Sequence, residues 1–589
     1  MNTVNIKING KDLTVPDSYT VLEAAKEANI HIPTLCYLKD LNQIGACRMC
    51  VVEIKGARAL QAACVYPVSE GLEVMTNSPK VRRARKDTLE LILSNHNRKC
   101  LTCVRSGNCE LQRLSEELGI DRVRFGTEEE NTKFAPDESS PSYVRDNNKC
   151  VLCRRCIAAC DNQGISVIQA KERGFNTNIG GAFDLPVAET PCIYCGQCIV
   201  ACPTGALRER DDTARVWDAI ADPDMHVVFQ TAPAVRAAIG EEFGLPAGVA
   251  QTGKMVSAIR LLGADRVFDT DTGADLTIME EGTEFIHRLT SGENLPLITS
   301  CSPGWVKYCE TYYPEFIGNL SSAKSPMEMF GAVLKTYYAE KCGIDPDKIF
   351  VVAVMPCTSK KFEVSRPEMN SAGHGQDVDV SITTRELARM IKSAGIDFAG
   401  LADEHFDQPF GDASGAGVIF GATGGVMEAA LRTVSEILEG KPLENIDFEA
   451  VRGTDGIKTT HLTVAGKEVN VAVCHGTKNA KALLEDIKAG KAKYDFIEMM
   501  ACPGGCVCGG GQPIKSSEYL MDHDMKSLRA KALYDEDKNA PIRKSHENPA
   551  IKLIYSEYLG EPCSERAHEL CIQHIPQEKS TNKKSVKYE

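Results

Sequence analysis

Long apolar runs are missing from this 589-residue chain: nothing approaches the roughly 18 consecutive apolar residues a bilayer crossing needs, so no membrane span and no membrane partner are expected. The opening segment MNTVNIKINGKDLTV alternates polar and apolar residues and has neither a continuous apolar core nor an Arg-Arg pair. Neither a Sec nor a twin-arginine signal is therefore expected, and the chain is read as cytoplasmic. Phosphate-cradling motifs are missing too. There is no GxGxxG, and FGATGG at 420–425 lacks the Lys-Ser/Thr ending of a P-loop, so no flavin or nucleotide site is expected in this chain. Positive charge is in deficit, with 67 Lys and Arg against 81 Asp and Glu, which disfavours nucleic acid as a partner.

What is present in excess is cysteine, 25 in all. In a reducing compartment disulfides do not persist, so cysteine at this density reads as metal ligation or redox chemistry. The distribution is uneven: fifteen lie between Cys36 and Cys202, ten in the remaining two thirds. Small cluster modules followed by a larger globular domain are the expected organisation.

The first module, 1–78, opens on two short strands over 4–8 and 13–15 joined by Asn9-Gly10, a strong hairpin signal, with a helix over 20–29 that Ser18 can cap. Cys36, Cys47, Cys50 and Cys64 follow with spacing x10, x2, x13. In this ubiquitin-like setting four thiolates read as a 2Fe–2S site of plant-ferredoxin type, with structural zinc the alternative; the first gap is longer than the plant-type x4. In the second module, 79–138, His96, Cys100, Cys103 and Cys109 are spaced x3, x2, x5. One imidazole and three thiolates suit zinc or a 4Fe–4S cluster about equally by spacing. A position between two redox modules favours the cluster, because zinc would interrupt a relay.

The third module, 139–209, holds an internal repeat. Cys150-x2-Cys153-x2-Cys156-x3-Cys160 recurs as Cys192-x2-Cys195-x2-Cys198-x3-Cys202-Pro203. This is the run of bacterial two-cluster ferredoxins, whose fourth cysteine serves the other cluster. One 4Fe–4S cluster is thus assigned Cys150, Cys153, Cys156 and Cys202, the other Cys192, Cys195, Cys198 and Cys160. The intervening GISVIQAKERGFNTNIG reads as strand–turn–strand.

From about residue 210 to 575 the pattern changes to α/β. Apolar runs at 226–232, 295–300, 349–357 and 469–476 read as buried strands, and helical stretches at 252–263, 325–341, 383–393 and 425–438 alternate with them. That pattern predicts parallel strands with crossover helices and site loops at strand C-terminal ends. The Lys-rich segment 576–589 reads as a disordered tail.

Three cysteine-bearing loops of this large domain carry a resemblance. TSCSPGW at 299–305, MPCTSKKFE at 355–363 and MACPGGCVCGGGQP at 500–513 are similar to the three signature motifs of FeFe hydrogenases, and the preceding modules match the accessory clusters of the large clostridial-type members in order. A complex I large subunit would lack the three loops, and the cluster-assembly relatives of hydrogenases would lack the full relay.

The resemblance implies an H-cluster: a 4Fe–4S cubane joined through a cysteine thiolate to a di-iron unit with CO, cyanide and azadithiolate. By motif, Cys357, Cys502 and Cys506 are cubane ligands, with Cys506 the bridge. Lys360 stands beside the diatomic ligands, Met355 and Met500 around the di-iron unit, Ala232 and Pro233 on its other wall, and Phe420 and Gly421 as its apolar cap. The family's first motif usually reads TSCCPGW, whereas this chain has Cys301 at the proton-relay position and Ser302 at the ligand position. Three alternatives stand: Ser302 supplies an oxygen ligand, the loop shifts so that Cys301 ligates, or the position is inert. Met327 stands where the familiar clostridial enzyme has glutamine.

The same comparison gives the proton path as Glu281, Glu284 and Arg288 in DLTIMEEGTEFIHR, with Ser321 completing it to Cys301; an ordinary i, i+4 ion pair is the plainer reading of Glu284 and Arg288. The expected reaction is reversible formation of H2 from two protons and two electrons. The expected partners are ferredoxin, a flavoprotein NAD(P)-binding subunit and a small 2Fe–2S subunit; the alternative is a stand-alone ferredoxin-linked enzyme. Cys309, Cys342 and Cys474 read as small buried apolar residues. Cys563 and Cys571, near His568 and His574, suggest one further metal site.

Overall fold

A computed structural model describes residues 2–126, 133–411, 413–464 and 466–572; the segment 576–589 and His574 lie outside the described residues. The chain divides into two compact units. The first comprises Met1–Cys192, Gln197–Arg208 and Ile514–His523, the second Ile193–Gly196, Glu209–Pro513 and the chain from Asp524 onward.

In the first unit, Thr3–Ile8 and Lys11–Pro16 pair antiparallel with Ile8 opposite Lys11. Asn9 and Gly10 form the turn at φ 51° and 83°, the positive values that a two-residue hairpin turn of matching twist demands. The sheet continues through Glu73–Met75 and Val51–Ile54 to Gln61–Ala62. The helix Val21–Glu27 is capped by Thr20, not by Ser18: the Thr20 hydroxyl accepts from Glu23 N while the Glu23 carboxylate accepts from Thr20 N, a reciprocal box that Ser18 lies too early to form. Val21, Leu22, Ala24 and Ala25 pack on Ile6, Ile8, Val52 and Val74 as the module's core. Beyond it, Leu89 and Leu93 of the helix Pro79–Ser94 meet Leu111 and Leu114 of Glu110–Glu117. Gln169–Lys171 and Asn178–Gly180 form the expected antiparallel pair between the two cysteine runs.

The second unit is built on two four-stranded sheets. Arg266–Asp269, His226–Thr231, Ile349–Met355 and Val380–Thr383 lie side by side in that order, all parallel. Leu297–Ile298, Phe496–Met500 and Lys467–His475 are also parallel, but Ile457–Val464 joins that edge antiparallel, a departure from the expected all-parallel arrangement. Its residues alternate between covered and more exposed, as suits a strand with one face toward solvent. The run 295–300 contributes only two strand residues. The helix expected over 325–341 is interrupted: Pro326–Val333 is α-helical, Leu334–Tyr338 forms a π-turn, and Ala339–Cys342 resumes. Cys309 and Cys474 are buried as expected, whereas Cys342 is exposed near the end of that last helical turn.

The topology places the site. His226–Thr231 runs into Ala232-Pro233 and Ile349–Met355 into Pro356-Cys357; Leu297–Ile298 leads to Cys301-Ser302 and Phe496–Met500 to Ala501-Cys502. Loops at the C-terminal ends of parallel strands therefore come from both sheets. Among the described residues no helix is long and apolar enough to cross a membrane.

Candidate active site and cluster positions

The four loops enclose one cavity of about 750 Å³ including its mouth. Every residue assigned to the H-cluster lines it: Cys301, Ser302, Cys357, Lys360, Cys502 and Cys506, together with Ala232, Pro233, Met355, Met500, Phe420 and Gly421. Met327 lines it as well. Cysteine sulfur on an apolar wall suits a soft iron–sulfur centre better than a hydrated ion. Burial pushes the Cys357 and Cys506 thiols up, Cys506 to about 12, and Lys360 pulls both the other way. Thiols this reluctant to ionise in a dry pocket fit positions completed by a cation.

Lys360 is the cavity's fixed positive charge. Burial opposes that charge, yet Glu363, 2.6 Å from Nζ, holds its pKa above the ordinary lysine value. Glu363 in turn accepts from Ser325 Oγ at 3.1 Å. Glu363 was not singled out in the sequence; its i+3 spacing from Lys360 in MPCTSKKFE was the available signal. Ser302 Oγ accepts from Ala501 N at 3.3 Å, tying the first motif to the third. Both Cys301 and Ser302 reach the cavity.

Behind Cys301 lies the helix Thr270–Ser291, whose buried face carries Glu281. Glu281 is fully enclosed, and neither carboxylate oxygen has a hydrogen-bond partner. Burial raises its pKa to about 8, against the opposing effect of the nearby Ser321 hydroxyl. Burial, then the charge of Glu281, pushes the Cys301 thiol well above the usual cysteine range. Further out, Glu284 Oε2 accepts from Ser321 Oγ at 3.3 Å and from Ser322 N and Oγ at 3.0 Å each, while Arg288 pairs with Glu284 and donates to the carbonyls of Asn294, Asn319 and Leu320. The sequence reading missed the double contact from Ser322. Ser321, Glu284 and Arg288 are thus joined by hydrogen bonds, and Glu281 lies near enough to act on Cys301 and to feel Ser321 without being bonded into that set.

The accessory positions have their own geometry. Cys50 and Cys64 sulfurs lie 3.4 Å apart, and Cys36 N donates to Cys47 Sγ at 3.3 Å, so the four thiols fall into two close pairs. Two pairs suit two irons, one pair on each. Gly45 beside them sits at φ +59°, as the tight turn requires. His96, Cys100, Cys103 and Cys109 line a separate cavity of about 1100 Å³ including its mouth. His96 Nδ1 is buried without a partner, and burial lowers the imidazole to about 4, leaving a neutral ring with a free nitrogen. Among the described residues, the one place where three His, Cys, Asp or Glu ligand atoms lie within 4.8 Å of one another is Glu436, His546 and Glu547, where Lys544 already pairs with both glutamates. The His96 group is not such a place. Cys563 and Cys571 form no such group either: Cys563 N and Sγ contact Glu280, and Cys571 is buried. Cys150, Cys153, Cys156 and Cys202 line one small cavity together. Burial raises the thiols of Cys150 and Cys156 to about 12, the same signature as in the large cavity.

Comparison with known proteins agrees with this geometry. The family described as iron only hydrogenase large subunit, C-terminal domain, matches residues 225–510, and iron hydrogenase small subunit matches 523–571. A 2Fe–2S cluster binding domain matches 1–79, the iron–sulfur binding region of NADH-ubiquinone oxidoreductase G matches 85–124, and a 4Fe–4S dicluster domain matches 149–206. The chain is 48% identical over 586 residues to the NADP-reducing hydrogenase subunit HndD of Solidesulfovibrio fructosivorans, covering 98% of this chain and 99% of that one. It is 44% identical to iron hydrogenase 1 of Clostridium pasteurianum over 96% of this chain and 98% of the relative. The solved structure of FeFe hydrogenase HydA1 from Chlamydomonas reinhardtii superposes with a TM-score of 0.56 at 41% identity, covering 62% of this chain and 99% of that one. The chain belongs to the FeFe hydrogenase large-subunit family: it is an oxidoreductase acting on H2, with 2Fe–2S and 4Fe–4S clusters and an H-cluster.

Proposed function

We propose that this chain is the hydrogen-producing and hydrogen-splitting subunit of a cytoplasmic, NAD(P)-linked assembly. The carrying observation is the single cavity in which Cys357, Cys502 and Cys506 from distant loops meet Cys301, backed by the enclosed carboxyl of Glu281. Cys357, Cys502 and Cys506 would hold the cubane, with Ser302 the candidate for a further ligand and Cys506 the candidate thiolate shared with a di-iron unit bearing CO, cyanide and azadithiolate. When bound, that centre supplies the redox metal at which two protons and two electrons exchange with H2.

The chain's own residues do the rest. Lys360, held charged by Glu363, faces the place of the anionic ligands. Met355, Met500, Phe420, Ala232, Pro233 and Gly421 form an apolar wall that keeps bulk water out. Cys301 moves the proton at its Sγ, and Glu281, protonated below about pH 8, resupplies it through a file that Ser321, Glu284 and Arg288 continue outward. Cys36, Cys47, Cys50 and Cys64 would hold a 2Fe–2S cluster, and the His96 group and the two ferredoxin-like runs three accessory 4Fe–4S clusters, which would supply one-electron transfer.

The partners follow from that one-electron traffic. A nicotinamide delivers electrons in pairs, so a flavoprotein must split them, and this chain has no dinucleotide fingerprint of its own. The near full-length similarity to an NADP-reducing hydrogenase subunit supports an assembly of several subunits; within it a flavoprotein, a small 2Fe–2S subunit and ferredoxin are the partners that one-electron traffic calls for. The test is an assay of the purified, matured chain. Alone, it should evolve H2 with an artificial one-electron donor but not with NAD(P)H until the flavoprotein is added. Nicotinamide-driven H2 from this polypeptide alone would overturn the partner assignment. Full activity with ferredoxin and no other subunit would favour a stand-alone enzyme.

A further inference from the structure

Ile193–Gly196, a four-residue piece of the second ferredoxin-like cysteine run, folds as part of the second unit. Thr358 Oγ1 donates to the Tyr194 carbonyl at 2.7 Å and Ser359 Oγ to the Ile193 carbonyl at 3.1 Å, so the loop that carries Cys357 grips this piece by its backbone. Next along, the carbonyl oxygen of Cys195 lies 4.0 Å from Cys502 Sγ.

Two glycines permit that approach. A β-carbon built on Gly510 would stand 2.6 Å from the Gly196 Cα and would also strike the Cys195 carbonyl; one built on Gly196 would stand 2.9 Å from the Gly510 Cα. Contacts under 3.0 Å force something to move. Gly196 is at φ +71° and is a glycine for its own backbone conformation as well, whereas Gly510 is not among the positive-φ residues. At Gly510 the close approach is therefore the whole steric demand.

We propose that Gly510 is a positioning residue for electron entry: by admitting the Cys195–Gly196 backbone, it sets the gap between the accessory 4Fe–4S cluster held by Cys195 and the cubane held by Cys502. The inference rests on those two proposed ligand roles. Each step moves one electron from the reduced accessory cluster to the oxidised cubane, leaving the first oxidised and the second reduced by one. Two steps supply the pair that H2 formation consumes, and the protons arrive separately by way of Cys301. Electron transfer between centres falls steeply with the non-bonded gap. The contact from the Cys195 carbonyl to the Cys502 sulfur is one such gap, flanked on either side by covalent bonds and ligation.

The test is Gly510→Ala in the matured full chain. Three quantities separate route from reaction site: exchange of D2 with solvent protons without an electron donor, H2 evolution with a one-electron donor, and the spin–spin coupling between the two clusters seen by electron paramagnetic resonance. Expected are full iron content, unchanged isotope exchange, donor-driven evolution lower by an order of magnitude, and weakened coupling. Wild-type evolution and coupling would overturn the proposal. So would exchange falling in parallel with evolution at full iron content, because the contact would then be shaping the reaction site. If Gly510→Ala takes up no iron, Thr358→Val loosens the same piece from its other side and must weaken the coupling; wild-type coupling in that variant counts against the proposal. Failure of the underlying ligand assignment reads differently: Cys502→Ala would then keep the cubane's signal.

Discussion

The hydroxyl of Ser321 donates to Glu284 Oε2 at 3.3 Å, and the same oxygen takes two further hydrogen bonds from Ser322, so the outer carboxylate of the file is held on three sides before Arg288 closes the fourth. Glu281, one helical turn nearer the cavity, has no such partners. The inner carboxyl is thus set to hold a proton, while hydrogen bonds fix the position of the outer one.

Cys301→Ala should remove nearly all H2 turnover while iron content and the cubane's magnetic signal remain close to wild type, because the proposed role of this cavity-lining thiol is to relay protons, with ligation left to the other loops. Iron analysis and paramagnetic resonance on the same sample check this. Retained turnover would show that Cys301 is not the relay, and loss of the cubane would make Cys301 the ligand in place of Ser302.

Glu281→Gln should cost activity on the scale of a lost proton-transfer group, about 10²–10⁴-fold. The sign of the pH effect follows from the raised value of about 8: below it the carboxyl keeps its proton and can donate, above it the group is an anion with nothing to give. Wild-type H2 evolution should therefore fall as pH rises through about 8, and the residual activity of Glu281→Gln should lack that limb. A pH–rate profile of both proteins decides the matter.

His96→Cys in the full chain should shift the potential of one 4Fe–4S cluster, because an anionic thiolate replaces the neutral imidazole whose Nδ1 lies free in its cavity. Potentiometry followed by paramagnetic resonance reads the shift. Stoichiometric zinc in the wild-type chain, with one cluster fewer, would remove the His96 group from the relay.

Arg155 and Glu110 form a bidentate pair in the first unit at 2.8 and 2.9 Å, both nearly inaccessible, with Ser517 N and Oγ also donating to the glutamate. Arg155→Leu leaves that carboxylate buried with its cation gone, an expected loss of about 3–5 kcal/mol. Combining it with Glu110→Leu should recover part of the loss. Denaturant unfolding followed by cluster absorbance measures both.

Most of the relay was legible before any coordinates. A cluster binding run is a local object: Cys150 to Cys160 and Cys192 to Cys202 announce themselves because turns of fixed length bring the thiolates together. The long strands were legible for a similar reason, since uninterrupted Val- and Ile-rich runs such as 349–355 fit a strand covered on both faces. The edge strand Ile457–Val464 was missed because it is not covered on both faces and carries alternating polar residues.

Taken by itself, the sequence determined which atoms are available: the thiolates, their spacing within each run, the serine at 302 beside Cys301 and the absence of a dinucleotide fingerprint. Those are properties of neighbours along the chain. Only the tertiary structure decided which distant loops meet. It placed Cys301, Cys357 and Cys502 around one cavity, gave Lys360 its Glu363, enclosed Glu281 without a partner, and laid the Cys195 carbonyl against Cys502 beneath Gly510. Burial and through-space distance set those pKa values and contacts, and both depend on the packing of two sheets whose strands lie far apart in the chain.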